Sequence, residues 1–348
     1  MKKIIALFLC LAMVVGVCTS CGTTPPSNGG NNQVSDSSGA GNDEEPIRAV
    51  YISTILSMDY FSYIAASAAK AADENGIELV VWNANGDNGK ASEFIDMAVD
   101  QGFDAIICTD PFGACASAMK NAKGKVKALI GFDAVTFPEY CNASISSDND
   151  KLGRQCAEQA IAYIKEQGLE HVNLVVSYSN VSASATARRN GAVAAFEDAG
   201  IDFTLTEAST SVDNSLEDFV ALWDDTLIRK AEGEIDIVIA VDAYNTLATL
   251  HAATSAGRDD FKVFGIDDEP DQLAALKEED PMLLSTIVQD PFEIGRLCIS
   301  SMIDAINGTD NGVIGIEGQV VTPDTVDQLI NDRATFKEET AKYTQGWG

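Results

Sequence analysis

From Ile47 onward the chain repeats one unit, a short apolar run followed by an amphipathic helix that stops at a glycine. "IRAVYIST" reads as a strand and "MDYFSYIAASAAKAADENG" as a helix ending at Gly76. "IELVVWNAN" is the next strand, and "KASEFIDMAVDQG" is a helix ending at Gly102. "FDAIICTD" is a third strand, a helix is predicted over residues 111–124, and "VKALIGFDAV" is a fourth strand. Short apolar strands bounded by turn residues, each followed by a helix, imply a parallel sheet covered by helices on both faces. The unit then starts again. Strands are predicted at "HVNLVVSYSN", "IDFTLTEAS", "IDIVIAVDA" and "KVFGID". Between them lie the helices "SATARRNGAVAAFEDAG", "SLEDFVALWDDTLIRKAEG" and "TLATLHAATSAG". The expected fold class is therefore α/β, with two doubly wound parallel-sheet lobes of domain size.

In such sheets ligands sit outside the carboxyl ends of the strands. In the first lobe those ends carry Ser53 and Thr54, Asn83 and Asn85, Thr109 and Asp110, and Phe132 and Asp133. In the second they carry Ser177 and Tyr178, Asp242 and Asp267. Strand tips are polar wherever they meet water. A whole ring of hydrogen-bonding residues, some inside apolar frames such as "IAVDA" and "FGIDD", fits a binding cleft better.

The folded body is preceded by a leader. Lys2 and Lys3 are followed by the apolar run "IIALFLCLAMVVGVC", which is short for a membrane span of about 20 residues and reads as a secretory signal. It ends in "VVGVCTSCG", a C-x-x-C outside any βαβ unit, so a thioredoxin-like redox role is disfavoured. Small residues before Cys21 resemble the lipobox of bacterial lipoproteins. That resemblance implies a signal peptide over 1–20 and a lipid on Cys21. Cys18 stands where such sequences usually have Leu, and cleavage before Cys18 is the competing site. Residues 22–46 are rich in Gly, Ser, Asn and Asp and read as a disordered tether with a span of roughly 25–30 Å. Residues 21–46 thus form the anchor and linker. Export and lipid anchoring on the outer face of the cell membrane are the expected localisation.

Loss of residues 1–20 would move the formal charge from −30 to −32. Such a chain will not bind nucleic acid through phosphate contacts, and anionic headgroups will repel it, so membrane attachment would have to come from the lipid. Cys108, Cys115, Cys141, Cys156 and Cys298 are an odd number in the mature body, so at least one stays unpaired. They read mostly as buried small hydrophobes. With only His171 and His251 as imidazoles and no ligand spacing, no metal site is expected.

Five segments, in order, carry a family resemblance: "SSDNDKLGRQCAEQ", "ARRNGAVAAFEDAG", "IAVDAYNTLATLHAATSAG", "VFGIDDEP" and "LLSTIVQDPFEIG". Together they resemble type I periplasmic binding proteins, specifically the ribose/galactose-type sugar-binding components of ABC importers, over residues 47 to about 330. The resemblance implies lobes joined by a three-segment hinge, with crossings near residues 147, 289 and 320. Lobe one would then be 47–146 plus 290–319, and lobe two 147–289 plus 320–348. It also implies that Asp242 and Asp267 hold the solute from lobe two, with Asp133 opposite and Gln289 in the hinge. Asp110 is a further strand-end candidate. Tyr60 and Phe61 lie where aromatic side chains flank a sugar ring, and core packing of the first helix is an equal reading for both. Carboxylates accept hydroxyl hydrogens, and aromatic faces cover the C–H side of a ring.

The family's two ligand-side arginines are replaced by Ala134 and Thr186, while Arg188 reads as structural. A pocket of aspartates without those arginines argues against anionic solutes. The expected solute is a neutral sugar or polyol, with an amino sugar or other cationic solute as the alternative. The expected partner is an ABC permease, and a ligand-presenting role for a chemoreceptor or sensor kinase is the alternative to import. A monomer is expected, and no cofactor. The chain carries no G-x-S-x-G, P-loop, H-E-x-x-H or dinucleotide fingerprint, so it is not expected to be an enzyme.

Overall fold

The computed structural model describes residues 45–347 apart from 111–112, 212–214 and 279–280. The expected signal peptide, Cys21 and the expected linker up to residue 44 lie outside the described residues, as does the start of the helix expected over 111–124.

The first lobe opens with β1 (Arg48–Ser53), α1 (Asp59–Glu74), β2 (Glu78–Asn83), α2 (Asn88–Asp100) and β3 (Ala105–Asp110). It continues with α3 (Ala116–Ala122), β4 (Ala128–Val135) and β5 (Ala143–Ser147). Then follow α4 (Asn149–Gln167), β6 (Val172–Ser179), α5 (Ala183–Asp198), β7 (Phe203–Thr210), α6 (Leu216–Arg229) and β8 (Ile237–Ala240). The rest is α7 (Ala243–Ala256), β9 (Lys262–Ile266), α8 (Pro270–Ala275), β10 (Leu283–Val288), α9 (Pro291–Ile306), β11 (Gly312–Ile316), β12 (Gln319–Val321) and α10 (Val326–Thr340).

The strands form two six-stranded sheets, ordered β2-β1-β3-β4-β5-β11 and β7-β6-β8-β9-β10-β12. All pairings are parallel except β10 with β12. The order reverses around β1 and around β6, as in a doubly wound sheet, so both lobes offer a ligand crevice at their strand ends. Alternation along each strand splits its side chains between two cores. In β1, Ala49 and Tyr51 face α1 and α9, while Val50 and Ile52 face α2 and α3. The second sheet is likewise covered on both faces.

Side-chain caps set many helix starts: the Asp87, Asp148 and Asp290 carboxylates and the Ser182 and Ser215 hydroxyls each accept a first-turn backbone N–H. The chain passes between sheets after β5, after β10 and between β11 and β12. Helix α3 is shorter than the sequence pattern suggests. Strands β5, β10, β11 and β12 are absent from that reading; β11 is mostly exposed and β12 has only three residues, so neither carries a buried apolar run.

Candidate functional site

The strand ends of the second sheet open on a cavity of about 270 Å³, which the first lobe reaches with Met58 and Tyr60. That is near the lower end of ligand pockets and suits a small solute. Tyr60 enters it from the first turn of α1. Asp242, Asp267 and Gln289 enter from the ends of the second sheet. Four of the seven residues singled out from the sequence therefore line one cavity.

Asp133 stands directly behind Tyr60, whose hydroxyl donates to Asp133 Oδ1 at 3.1 Å. From there hydrogen bonds connect the two sheets. Ser147, at the end of β5, donates to Gln289 Oε1 at 2.7 Å, and Gln289 Nε2 donates to Asp267 Oδ1 at 2.6 Å. Asp267 Oδ2 accepts from the Ala243 N–H at 3.2 Å and lies 3.6 Å from Arg188 Nη1. The backbone at Asp267 is held in turn: Thr286 Oγ1 donates to its carbonyl at 2.6 Å and accepts from Gln272 Nε2.

Asp242 has a double task. Its carboxylate caps α7, accepting from Asn245 N at 2.9 Å and from Asn245 Nδ2 on both oxygens. Asp110 and Phe61 lie elsewhere. Asp110 is buried at the end of β3, where one oxygen accepts from the Cys115 N–H and the other has no partner. Phe61 packs on the core of the first lobe and meets Tyr60 edge-on at 5.2 Å. Several other strand-end polar groups are consumed internally. Ser177 donates to Asn245 and accepts from Trp223, and Thr109 donates to the Ala134 carbonyl.

Arg188, read from the sequence as structural, also reaches the cavity. It lines the cavity, donating from Nε to Asn149 Oδ1 at 2.8 Å and from Nη1 to the Val241 carbonyl at 2.9 Å, and it faces Asp267. Its position follows from helix packing. A Cβ at Gly153 would lie 1.9 Å from the Arg188 carbonyl, and one at Gly191 would lie 2.1 Å from that of Asp150, so α4 and α5 touch backbone to backbone. Sequence reasoning also missed Met58, Phe219 and Tyr244 on the cavity wall. For Tyr244 the available signal was an aromatic two residues past a strand-end Asp.

The electrostatics of the site are set by burial. Burial pushes the Asp133 carboxyl above the ordinary carboxylate range. The Tyr60 hydrogen bond and Arg188 act against that shift, and the facing Asp267 adds to it. Burial raises Asp242 as well, against the Asn245 donors. It raises Asp268, which Arg333 partly offsets, and Glu269, which the neighbouring aspartates push further. The Tyr60 hydroxyl is held protonated by burial and by Asp133. The cavity thus offers a neutral phenol donor, carboxylate acceptors, a carboxamide, one guanidinium and aromatic faces. This is equipment for gripping hydroxyls, and no nucleophile paired with a base is among it. Among the described residues no cluster of His, Cys, Asp and Glu is disposed to hold a metal ion. The five cysteines Cys108, Cys115, Cys141, Cys156 and Cys298 are free thiols, all buried except half-buried Cys141.

Comparison with known proteins gives the following. The family model described as "Periplasmic binding protein domain" matches residues 49–310. The ribose import binding protein of Bacillus subtilis (strain 168) is 26% identical over 318 residues, covering 88% of this chain and 94% of that protein. A periplasmic ribose ABC transporter structure from Conexibacter woesei superposes with a TM-score of 0.73 at 19% identity, over 83% of this chain and 97% of that one. An ABC transporter solute binding protein from Agrobacterium vitis, with bound allitol, has a TM-score of 0.69 at 17% identity, over 82% and 99% of the respective chains.

Proposed function

The chain belongs to the periplasmic-binding-protein domain family, and on that premise we propose that it captures a neutral sugar or polyol between its lobes for an ABC importer. It is a solute-binding protein and not an enzyme. The observation that carries the reading is a cavity lined by Tyr60, Asp267 and Gln289, where Ser147 bonds through Gln289 to Asp267 and so joins the two sheets, while Tyr60 bonds to Asp133 behind it. A polyol held there exchanges hydroxyl hydrogen bonds with both lobes at once, so it stabilises the form in which the lobes are close. The ribose import protein and the allitol-bound protein named above support the solute class. Arg188 is already engaged by Asp267, which leaves the cavity wall with surplus carboxylate and fits uncharged solutes better than anionic ones.

In this reading Tyr60, Asp133, Asp242, Asp267 and Gln289 contact or position the solute, while Asp110 and Phe61 support the walls behind. The lobes are residues 47–146 with 290–319 and 147–289 with 320–348. The protein acts as a monomer beside its permease, exported by residues 1–20 and held at the membrane by a lipid on Cys21. A thermal-shift screen of pentoses, hexoses and polyols, followed by calorimetry, tests the solute class. At least one should bind, and failure of every sugar and polyol would overturn the reading. The anchor is tested separately by labelling cells with a fatty-acid analogue. Label is expected on the wild type and not on Cys21→Ala, whose precursor should stay uncleaved. Label persisting on the variant would overturn the anchor.

A further inference from the structure

Beside the cleft lies a second cavity of about 320 Å³, closed on its far side by α10. The two cavities adjoin at Tyr60, Asp268 and Glu269, which line both. Tyr63, Leu273, Ile330 and Ala334 give the second one apolar walls.

Its polar feature is Arg333, a residue only 8% exposed. The guanidinium lies 5.1 Å from the Tyr63 ring centroid and 4.5 Å from that of Phe292. Nε donates to Asp268 Oδ2 at 2.9 Å, and Nη2 donates to the Gln289 carbonyl at 3.1 Å. Nη1 is buried, with no partner and no surface open to the cavity, so Arg333 forms part of the wall. The ions around it are largely neutralised. Lys337 is paired with Asp59 at 2.8 Å, and Arg333 with Asp268. The cavity therefore presents the Tyr63 ring, an aliphatic wall and mostly paired ions, with Glu269 as its one carboxylate outside those pairs. Those are the requirements of an uncharged ring bearing hydroxyls.

We propose that this cavity is a subsite for a second neutral sugar or polyol unit, so that the solute is a disaccharide or a glycoside instead of a single ring. One unit sits among Asp242, Asp267 and Gln289. The link passes Tyr60 and Glu269, and the second unit lies against Tyr63, Leu273 and Ile330 with Glu269, Asp59 and Lys337 at its polar edge. The inference rests on the sugar-binding reading above.

Calorimetry on the mature protein tests it with maltose, cellobiose, lactose, sucrose and methyl and phenyl glycosides, each against its constituent monosaccharides. At least one two-unit compound should bind tenfold or more tighter than either of its parts. The decisive variant is Ala334→Trp, which fills the cavity from an exposed helix position. It should weaken the two-unit compound at least tenfold and leave monosaccharide affinity within twofold. Monosaccharides binding as tightly as every compound that contains them would overturn the subsite and leave the parent reading standing, as would an unchanged two-unit affinity in Ala334→Trp. No binding by any sugar or polyol would overturn both.

Discussion

Asp133 stands behind Tyr60 in the first lobe and Asp267 lines the cavity from the second, and both hold backbone angles that most residues avoid, with φ of 59° and 81°. Asp and Asn tolerate this left-handed region best among side-chain-bearing residues, so the carboxylates can be aimed from sharp strand-end turns. Such strain persists only where surrounding contacts over-determine it, as the Thr286 and Gln289 bonds do at Asp267. Asp133 also carries an electrostatic cost. Its folded-state pKa is raised, first by burial, so the folded protein holds that proton more tightly than the unfolded chain. The favourable contribution is present at low pH and is lost as pH rises through the folded-state value. Asp133→Asn keeps the turn and removes the charge. It should therefore have a higher thermal midpoint than wild type at pH 7, with the gap closing toward pH 4. It should also bind the screened solute roughly ten- to a hundredfold more weakly, since a hydrogen bond to a charged acceptor is worth about 1.5–3 kcal/mol. Scanning calorimetry and titration on the same sample check both signs. A lower midpoint at pH 7 or an unchanged affinity would remove Asp133 from the site.

Among the elements, the contact between α4 and α5 decides where Arg188 sits. Gly191→Ala would force the Asp150 carbonyl to retreat from a Cβ built at 2.1 Å, and backbone offers little give. Overpacking of this kind costs about 1–3 kcal/mol. The expected result is a lower urea midpoint together with weaker solute binding, because Arg188 would lose its register against Asp267 and Val241. A wild-type midpoint would mean that the helices are not in backbone contact. This contact also marks how far the sequence could be read. The β-strands with continuous apolar runs, and the helix ending at Gly257, were legible because each carries a local signal. So were Asp133, Asp242 and Asp267, as polar residues ending apolar strands. Arg188 was not, because its direction depends on glycines 35 residues before it and three residues after it, acting across two helices. Strand β11 pairs with β5 at a sheet edge with most of its side chains exposed, so periodicity could not reveal it. The capping role of Asp242 was hidden as well: a strand-end Asp that begins a helix reads the same whether its carboxylate points to a ligand or back to the chain.

At the scale of the molecule, the two lobes are joined by three crossings and by α10, which straddles them. Val326 and Leu329 root α10 in the second lobe's core. Beyond them, Lys337 pairs with Asp59 and Glu339 with Lys70 on α1 of the first lobe. Surface pairs of this kind contribute about 0–1 kcal/mol each, so they guide a motion without forbidding it. Across the cleft, Asp133 and Asp267 repel each other, which favours separation of the lobes until hydroxyl donors arrive to be shared. A bound polyol supplies those donors to both sides and reverses the preference. Adding the solute identified by screening should therefore reduce the radius of gyration in small-angle X-ray scattering. The reduction should be smaller for Asp133→Asn, in which repulsion across the cleft is already relieved. It should also occur with no chemical change in the solute, which mass spectrometry of the released compound would establish. A scattering profile unchanged at saturating solute would rule out closure as the response to binding, and turnover of the solute would require catalysis instead.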